Sequence, residues 1–205
     1  MRITKFTHAC VRLERDGRAL VLDPGIWAEP AALSGADAIL VTHEHVDHID
    51  VMRLACLGLP VFAPAGADIG GLDEVHGFDV TPVEVGAEFE AAGFRVRAVG
   101  GRHAFVHGGK PVCANLGYVV EGRVYHPGDA LHVPDEPVET LLVPANAPWL
   151  KLTEAIDFVN AVRPQRAFPV HDGLMNDRGA QIVDRLVRQE TATDFRYWRP
   201  GESAD

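Results

Sequence analysis

Apolar and polar residues alternate from Ile3 to Phe6 and again from Cys10 to Leu13, and Arg18 to Leu22 follows the turn Arg15-Asp16-Gly17. The chain is therefore predicted to open as an antiparallel β-meander that ends in the turn Asp23-Pro24-Gly25. Ala38 to Val41 then breaks the alternation, because a short all-apolar run ending at Thr42 suits a strand covered on both faces. Ile49 to Leu59 has the helix-like spacing of Val51, Leu54, Ala55 and Leu57, closed by Gly58 and Pro60 ahead of another strand, Val61 to Ala63.

The middle of the chain returns to strands: Val80 to Val85, Glu88 to Phe89, Phe94 to Val99, Leu116 to Val120 and Val124 to His126, punctuated by glycines and read as hairpins. After Leu141 to Val143 come a helix with Leu152, Ala155, Ile156, Val159 and Val162 on one face, the strand Ala167 to Val170, a last helix carrying Ile182, Leu186 and Val187, and a closing strand from Phe195 to Trp198. Hairpins interleaved with strand-helix units imply an α/β fold of two mixed β-sheets facing each other with helices outside, a four-layer sandwich. No internal repeat or linker is visible, and residues 1–205 are expected to form a single domain.

Composition supports one core and narrows the partners. With 205 residues and 47% hydrophobic side chains, there is apolar material for one sizeable interior. No stretch resembles a signal peptide or a membrane span, so the expected setting is cytoplasmic, without membrane association. A net charge of -10 leaves little room for a basic nucleic-acid-binding stripe. The expected partner is a small-molecule substrate, and a homo-oligomer is compatible with the sequence. Cys10, Cys56 and Cys113 are widely separated among apolar neighbours and read as small buried hydrophobes rather than as a disulfide framework.

The ten histidines are the unusual feature. Thr42-His43-Glu44-His45-Val46-Asp47-His48 places His43, His45 and Asp47 at alternate positions. In an extended loop these three project to the same side and His48 points elsewhere. Two metal ions roughly 3.5–4 Å apart could then be served by one segment, one ion taking His43 and His45, the other Asp47 and His48. A loop at the carboxyl end of a buried strand is also where α/β sheets tend to bind ligands.

At this point the sequence resembles the metallo-β-lactamase superfamily, whose hallmark is His-x-His-x-Asp-His after a strand, and more narrowly its small bacterial branch similar to the ascorbate-6-phosphate lactonase group. The resemblance implies an αββα sandwich with the metals at one edge. It also implies that His103 in Gly101-Arg102-His103 completes the first metal site, that Asp129 in Tyr125-His126-Pro127-Gly128-Asp129 bridges both ions, and that His171 in Val170-His171-Asp172-Gly173 completes the second. Asp23 is expected to support the metal loop by orienting an imidazole. The implied cofactors are two divalent metal ions, zinc first, with manganese or iron(II) as alternatives. Such a pair lowers the pKa of a bridging water from about 15.7 toward neutrality and supplies hydroxide, while open coordination positions polarise the substrate's oxygen.

Among the remaining polar residues, His8 on the first hairpin is a candidate catalytic residue beside Asp47, as a supporting or proton-transfer group, since the small branch tends to place a histidine or glutamine there facing the cleft; a structural hairpin histidine is the equal alternative. His107 ahead of Gly108-Gly109-Lys110 reads either as part of a lid or as plain loop polarity, the latter being favoured. His126 and His132 read as strand and turn residues, and His76 as solvent-exposed. Trp149, in Asn146-Ala147-Pro148-Trp149, is a candidate wall of the substrate pocket or a core residue.

The leading functional expectation is a metal-dependent hydrolase cleaving an ester-like bond in a small molecule: lactone, ester, phosphoester or amide, in that order. The lactone preference rests on the resemblance. Missing signal peptide, inserted nuclease domain and C-terminal helical domain argue against antibiotic inactivation, RNA processing and glyoxalase-type thioester hydrolysis respectively. The same scaffold also hosts iron-dependent oxidoreductases, such as persulfide dioxygenases and flavodiiron proteins. A non-enzymatic regulator that binds metal or a metabolite is the third class, disfavoured by the full ligand set.

Overall fold

The computed structural model describes residues 1–69, 80–108 and 112–205. The predicted meander forms as β1 (Arg2–Lys5), β2 (Val11–Arg15) and β3 (Arg18–Leu22), each antiparallel to its neighbour. β4 (Ala38–Leu40), β5 (Val61–Pro64) and β6 (Val80–Val83) add in parallel beside β3, and β14 (Ser203–Ala204) pairs antiparallel with the free edge of β1. The second sheet is an antiparallel run of β7 (Glu88–Ala91), β8 (Phe94–Gly100), β9 (Leu116–Val120) and β10 (Val124–His126). It is extended in parallel by β11 (Thr140–Pro144), β12 (Arg166–Val170) and β13 (Asp194–Phe195).

Three apolar clusters define the layers. Alternate residues such as Leu20, Leu22 and Leu40 of the first sheet meet Phe94, Tyr118, Val120, Leu142 and Phe168 of the second, forming the core between the sheets. The intervening residues Val21, Ile39 and Val41 point outward against Leu54 of helix α1 (Val51–Leu57), while Leu141 and Val143 pack on Phe158, Val159, Val183 and Val187 of helices α2 (Leu152–Val162) and α3 (Asp177–Glu190). The architecture is the expected αββα sandwich. Strands β4 and β11 read as unbroken apolar runs because both of their faces are covered.

Several local expectations are corrected. The first helix spans Val51–Leu57 rather than Ile49–Leu59, because the Asp50 carboxylate accepts the Arg53 N–H as an N-cap and Gly58 ends the helix with φ 62°. The closing strand stops at Phe195, and Trp198 instead stacks on Phe168 with ring centroids 3.6 Å apart. Of the cysteines only Cys10 is fully buried; Cys56 is exposed on α1 and Cys113 is half-buried. His76, Gly109 and Lys110 lie outside the described residues.

A repeat invisible in the sequence is present in the topology. Among the described residues each sheet has seven strands, with the same order and the same sequence of antiparallel and parallel pairings, β14-β1-β2-β3-β4-β5-β6 matching β7-β8-β9-β10-β11-β12-β13. The seventh strand of each half crosses to edge the other half's sheet, tying the halves together. In consequence β1, β3 and β4 run one way in the first sheet, as do β8, β10, β11 and β12 in the second, and the loops at their carboxyl ends carry every candidate site residue.

Gly25 shows how tightly that edge is built. A Cβ there would overlap the backbone carbonyl of Asp47, and the flanking residues are stitched to the same loop by Ile26 N–H to Val46 O (2.9 Å) and Asp50 N–H to Pro24 O (3.0 Å). Gly25→Ala is expected to cost about 1–3 kcal/mol through overpacking and to loosen metal retention, both measurable by thermal unfolding and elemental analysis. An unchanged midpoint with unchanged metal content would show that the loop does not need this close approach.

Candidate metal centre

The fully buried Asp23 lies just past β3 with φ 48° and accepts three bonds at 2.7 Å: Thr42 N–H and Thr42 Oγ–H on its two oxygens, and His48 Nδ1 on Oδ2. The imidazole it orients is therefore His48. The segment after Thr42 is a series of tight turns rather than an extended strand, since the N–H groups of His48 and Ile49 both bond back to His45 O. This corrects the side-by-side placement of His43, His45 and Asp47. His43 Nε2 and His45 Nδ1 approach to 3.0 Å and group with His103, whereas Asp47 turns away to join His48, His171 and His8.

Hydrogen bonds assign the tautomers. Thr42 Oγ spends its proton on Asp23 and so accepts from His43 Nδ1 at 3.0 Å; His48 Nδ1 donates to Asp23. His103 Nδ1 donates to Ala104 O and His171 Nδ1 to Asn146 O, each at 2.6 Å. All four imidazoles thus turn Nε2 inward, and in the neutral ring each presents a bare lone pair there. Asp129 lies among them, with Oδ1 3.2 Å from His48 Nε2 and Oδ2 3.3 and 3.1 Å from the Nε2 atoms of His103 and His171.

These groups fit a cation and little else. His48 Nε2, His103 Nε2, His171 Nε2 and Asp129 Oδ1 are buried without a hydrogen-bond partner, and among the described residues only two nitrogens of Arg97 share that condition. An orphaned buried polar atom is costly, so converging lone pairs at this spacing define a seat for metal ions. The donor set of imidazoles and carboxylates suits zinc, manganese or iron(II) alike.

His8 differs from the four. It is buried with φ 65°, its Nδ1 accepts the Gly173 N–H at 3.1 Å, and its proton therefore sits on Nε2, 3.0 Å from Asp47 Oδ2. That tautomer makes His8 a donor to Asp47 rather than a ligand, although its ring lies within ligand distance of Asp47, His48 and His171.

Structure adds residues that the motif did not flag. Asn115 accepts the Asp129 N–H and donates to Pro127 O, both at 2.9 Å, holding the turn in which a Gly128 side chain would collide with Thr42 and Asn115. Beyond His171, buried Asp172 pairs with Lys5 of β1 (2.9 Å) and accepts from Tyr197 (2.8 Å), fastening that loop to the first sheet. Cys113 Sγ is 3.9 Å from His45 Nε2. Trp149, expected only as a wall or core residue, donates its indole N–H to Asp129 Oδ2 at 3.0 Å. His126 is a buried strand residue that bonds Ala9 O, while His107 and His132 are exposed.

Electrostatics without metal follow from the same contacts. Burial opposes charge on His48 and His171, but Asp129 with Asp23 pushes the first up to about 10, and Asp129 with Asp47 pushes the second up to about 9. Burial also works against charge on Asp129, yet His48, His103 and His171 hold it well below the usual carboxylate range. Burial first, and then repulsion from neighbouring imidazoles such as His48, keeps His8, His43, His45 and His126 below their ordinary value.

The model of the Beta-lactamase superfamily domain matches residues 2–171, and the chain belongs to that family. Together with the αββα sandwich and the histidine-aspartate cluster, this places it among the metal-dependent hydrolases of the metallo-β-lactamase superfamily. Its relatives include the Mycobacterium tuberculosis protein Rv0786c, 41% identical over all of this chain and 99% of its own. Another is the UPF0173 metal-dependent hydrolase of Methanopyrus kandleri, 30% identical over 84% of each chain. Among solved structures, the metallo hydrolase Igni18 of Ignicoccus hospitalis superposes with a TM-score of 0.76 over 99% of this chain and 97% of its own, at 21% identity, and so shares the fold.

Trp149→Phe removes the N–H from Asp129 while keeping an aromatic ring, and is expected to weaken metal binding by about 10-fold or more, as loss of an outer partner does. Equilibrium dialysis reads this, and unaltered affinity would assign the indole to packing alone. In chelator, the raised His48 and His171 give stability that is full below pH 6.5 and lost as pH climbs through 9 and 10, while the depressed imidazoles give stability lost as pH falls below 6.5. The thermal midpoint of chelated protein should therefore peak near pH 6.5 and fall toward pH 10, and a flat profile above 6.5 would contradict the assignment.

Proposed function

We propose that the protein is a binuclear metal-dependent hydrolase that cleaves an ester-like bond, a lactone or carboxylic ester first and a phosphoester next, in a small molecule. The observation that carries the reading is the inward convergence of unpartnered imidazole lone pairs around Asp129. His43, His45 and His103 would hold one ion, Asp47, His48 and His171 the other, with Asp129 between them. Zinc is the favoured metal, with manganese or iron(II) as alternatives. Three unpaired thiols support a reducing, cytoplasmic setting.

When bound, the two ions supply a water acidified toward neutrality and a Lewis-acidic pull on the scissile oxygen. The chain's own contribution is orientation and proton placement. Asp23, Ala104 O and Asn146 O fix which nitrogen of each imidazole faces inward. His8 Nε2–H holds Asp47 in place, and as water adds to the acyl group and the acyl carbon–oxygen bond breaks, the proton released by that water would pass to the leaving alkoxide.

The test is reconstitution of metal-free protein with zinc, manganese and iron separately, followed by a panel of lactones, esters and phosphodiesters. About two ions per chain with hydrolysis is expected, abolished by Asp47→Ala and His48→Ala while the fold persists. His8→Ala should retain both ions and lose most of kcat. One bound iron with oxygen consumption on a persulfide would replace hydrolysis by the redox reading, and full activity in both ligand variants would remove the two-metal mechanism.

A further inference from the structure

The exposed apolar residues are unevenly placed. Ile26, Trp27, Val46, Phe105, Val106 and Leu174 all leave large apolar surfaces in solvent, and all lie on the loops that deliver Asp23, the 43–48 segment, His103 and His171. The other exposed large apolar residues among those described are Met52, Leu57, Val85, Val133 and Ile182. Local bonds tie the first set to the cluster. Trp27 sets its ring edge-on to His8 with centroids 4.7 Å apart, and Ile26 N–H bonds Val46 O between His45 and Asp47. Leu174 follows Gly173, the donor to His8, and Phe105 follows Ala104, whose N–H bonds Asp129 O at 2.7 Å.

Charge is distributed in the opposite sense. The segments 23–30, 42–50 and 171–176 contain no lysine or arginine, and the loop 101–115 has two such residues in its sequence, Arg102 and Lys110. Arg102 lines a cavity with Gly100, Gly101 and His132, the last of which is exposed beyond Asp129. A phosphorylated or polyanionic substrate calls for a clamp of guanidinium and ammonium groups, which the segments 23–30, 42–50 and 171–176 lack, and the net charge of -10 disfavours its approach. Exposed apolar side chains on the loops around a polar centre suit an apolar ligand.

We propose that these side chains form a collar that binds the uncharged, apolar acyl or aryl portion of the substrate, so that the protein acts on hydrophobic esters or lactones rather than on phosphorylated sugars. The proposal rests on the hydrolase reading above and adds the substrate class to it. Trp27 and Leu174 flank His8 and would take the group nearest the scissile bond, with Val46 and Phe105 further out on the neighbouring loops.

The experiment measures kcat/KM of metal-loaded protein on p-nitrophenyl acetate, butyrate, hexanoate and octanoate, and the binding of acetate and octanoate by tryptophan fluorescence and calorimetry with and without metal. The expected result is a gain of about two- to fourfold per methylene over the first added carbons. Octanoate should bind at least 10-fold tighter than acetate, and Trp27→Ser and Leu174→Ser should flatten both series. Turnover of acetate ester with no chain-length dependence and no preference for octanoate would overturn the collar and leave the hydrolase. Octanoate binding without turnover of any ester would support the collar and remove the hydrolase reading. A dimer in light scattering that Leu174→Asp dissociates would overturn the proposal, since a second copy would then cover the surface.

Discussion

The site depends on one buried carboxylate. Asp23 is sealed from solvent, so its charge is tolerable only because three donors reach it, and two of those belong to Thr42 at the start of the histidine loop. The third, His48 Nδ1, converts that satisfied charge into chemistry by fixing which nitrogen faces Asp129. Asp23 also adopts φ 48°, a conformation unfavourable for a side-chain-bearing residue, and the turn through Gly25 it initiates is what the 46–50 backbone packs against. Removing this carboxylate would leave Thr42, His48 and the loop conformation without their common anchor.

Around that anchor the topology explains why residues so far apart in sequence meet. Each half of the chain makes a meander followed by parallel strands, and parallel strands put all their carboxyl-end loops on one edge. Two such halves packed face to face bring two loop-bearing edges together. His8 after β1 and His103 after β8 occupy matching places in the two halves, as do Asp23 after β3 and the His126–Asp129 turn after β10. The repeat survives as strand order and not as sequence because only the strand pairings and the buried faces constrain it, and many apolar residues satisfy those.

Much of the fold was legible because its signals are local. Runs such as Ala38 to Val41 announce a strand covered on both sides, and Leu152, Ala155, Val159 and Val162 announce a one-sided helix. β14 was illegible since two residues, Ser203 and Ala204, carry no periodicity and form a strand only by finding β1. Within the site, the 43–48 cluster named itself by residue type, but its geometry did not. Alternation predicts side chains only in extended backbone, and the turns that bond His48 and Ile49 to His45 O redirect Asp47. Trp149 and Asn115 could be placed only in three dimensions, because an indole or an amide in a loop has no spacing rule that ties it to an aspartate many residues away.

The contrast between His8 and the four inward-facing imidazoles shows how backbone, rather than side-chain identity, divides the labour. His103 and His171 meet backbone carbonyls, which can only accept, so their Nδ1 atoms must carry a proton and Nε2 is the nitrogen left bare when the ring is neutral. His8 meets the Gly173 N–H, which can only donate, so its proton is forced to the other nitrogen. Gly173 is suited to that task because a Cβ there would crowd the His8 ring at 3.0 Å from Nδ1. Five chemically identical rings within a few ångströms thereby take two roles, and the choice is made by the polarity of a single peptide group beside each of these three. A donor so close to Asp47 cannot also offer a lone pair to a cation, which is why His8 completes the site by orienting its carboxylate instead of enlarging its ligand set.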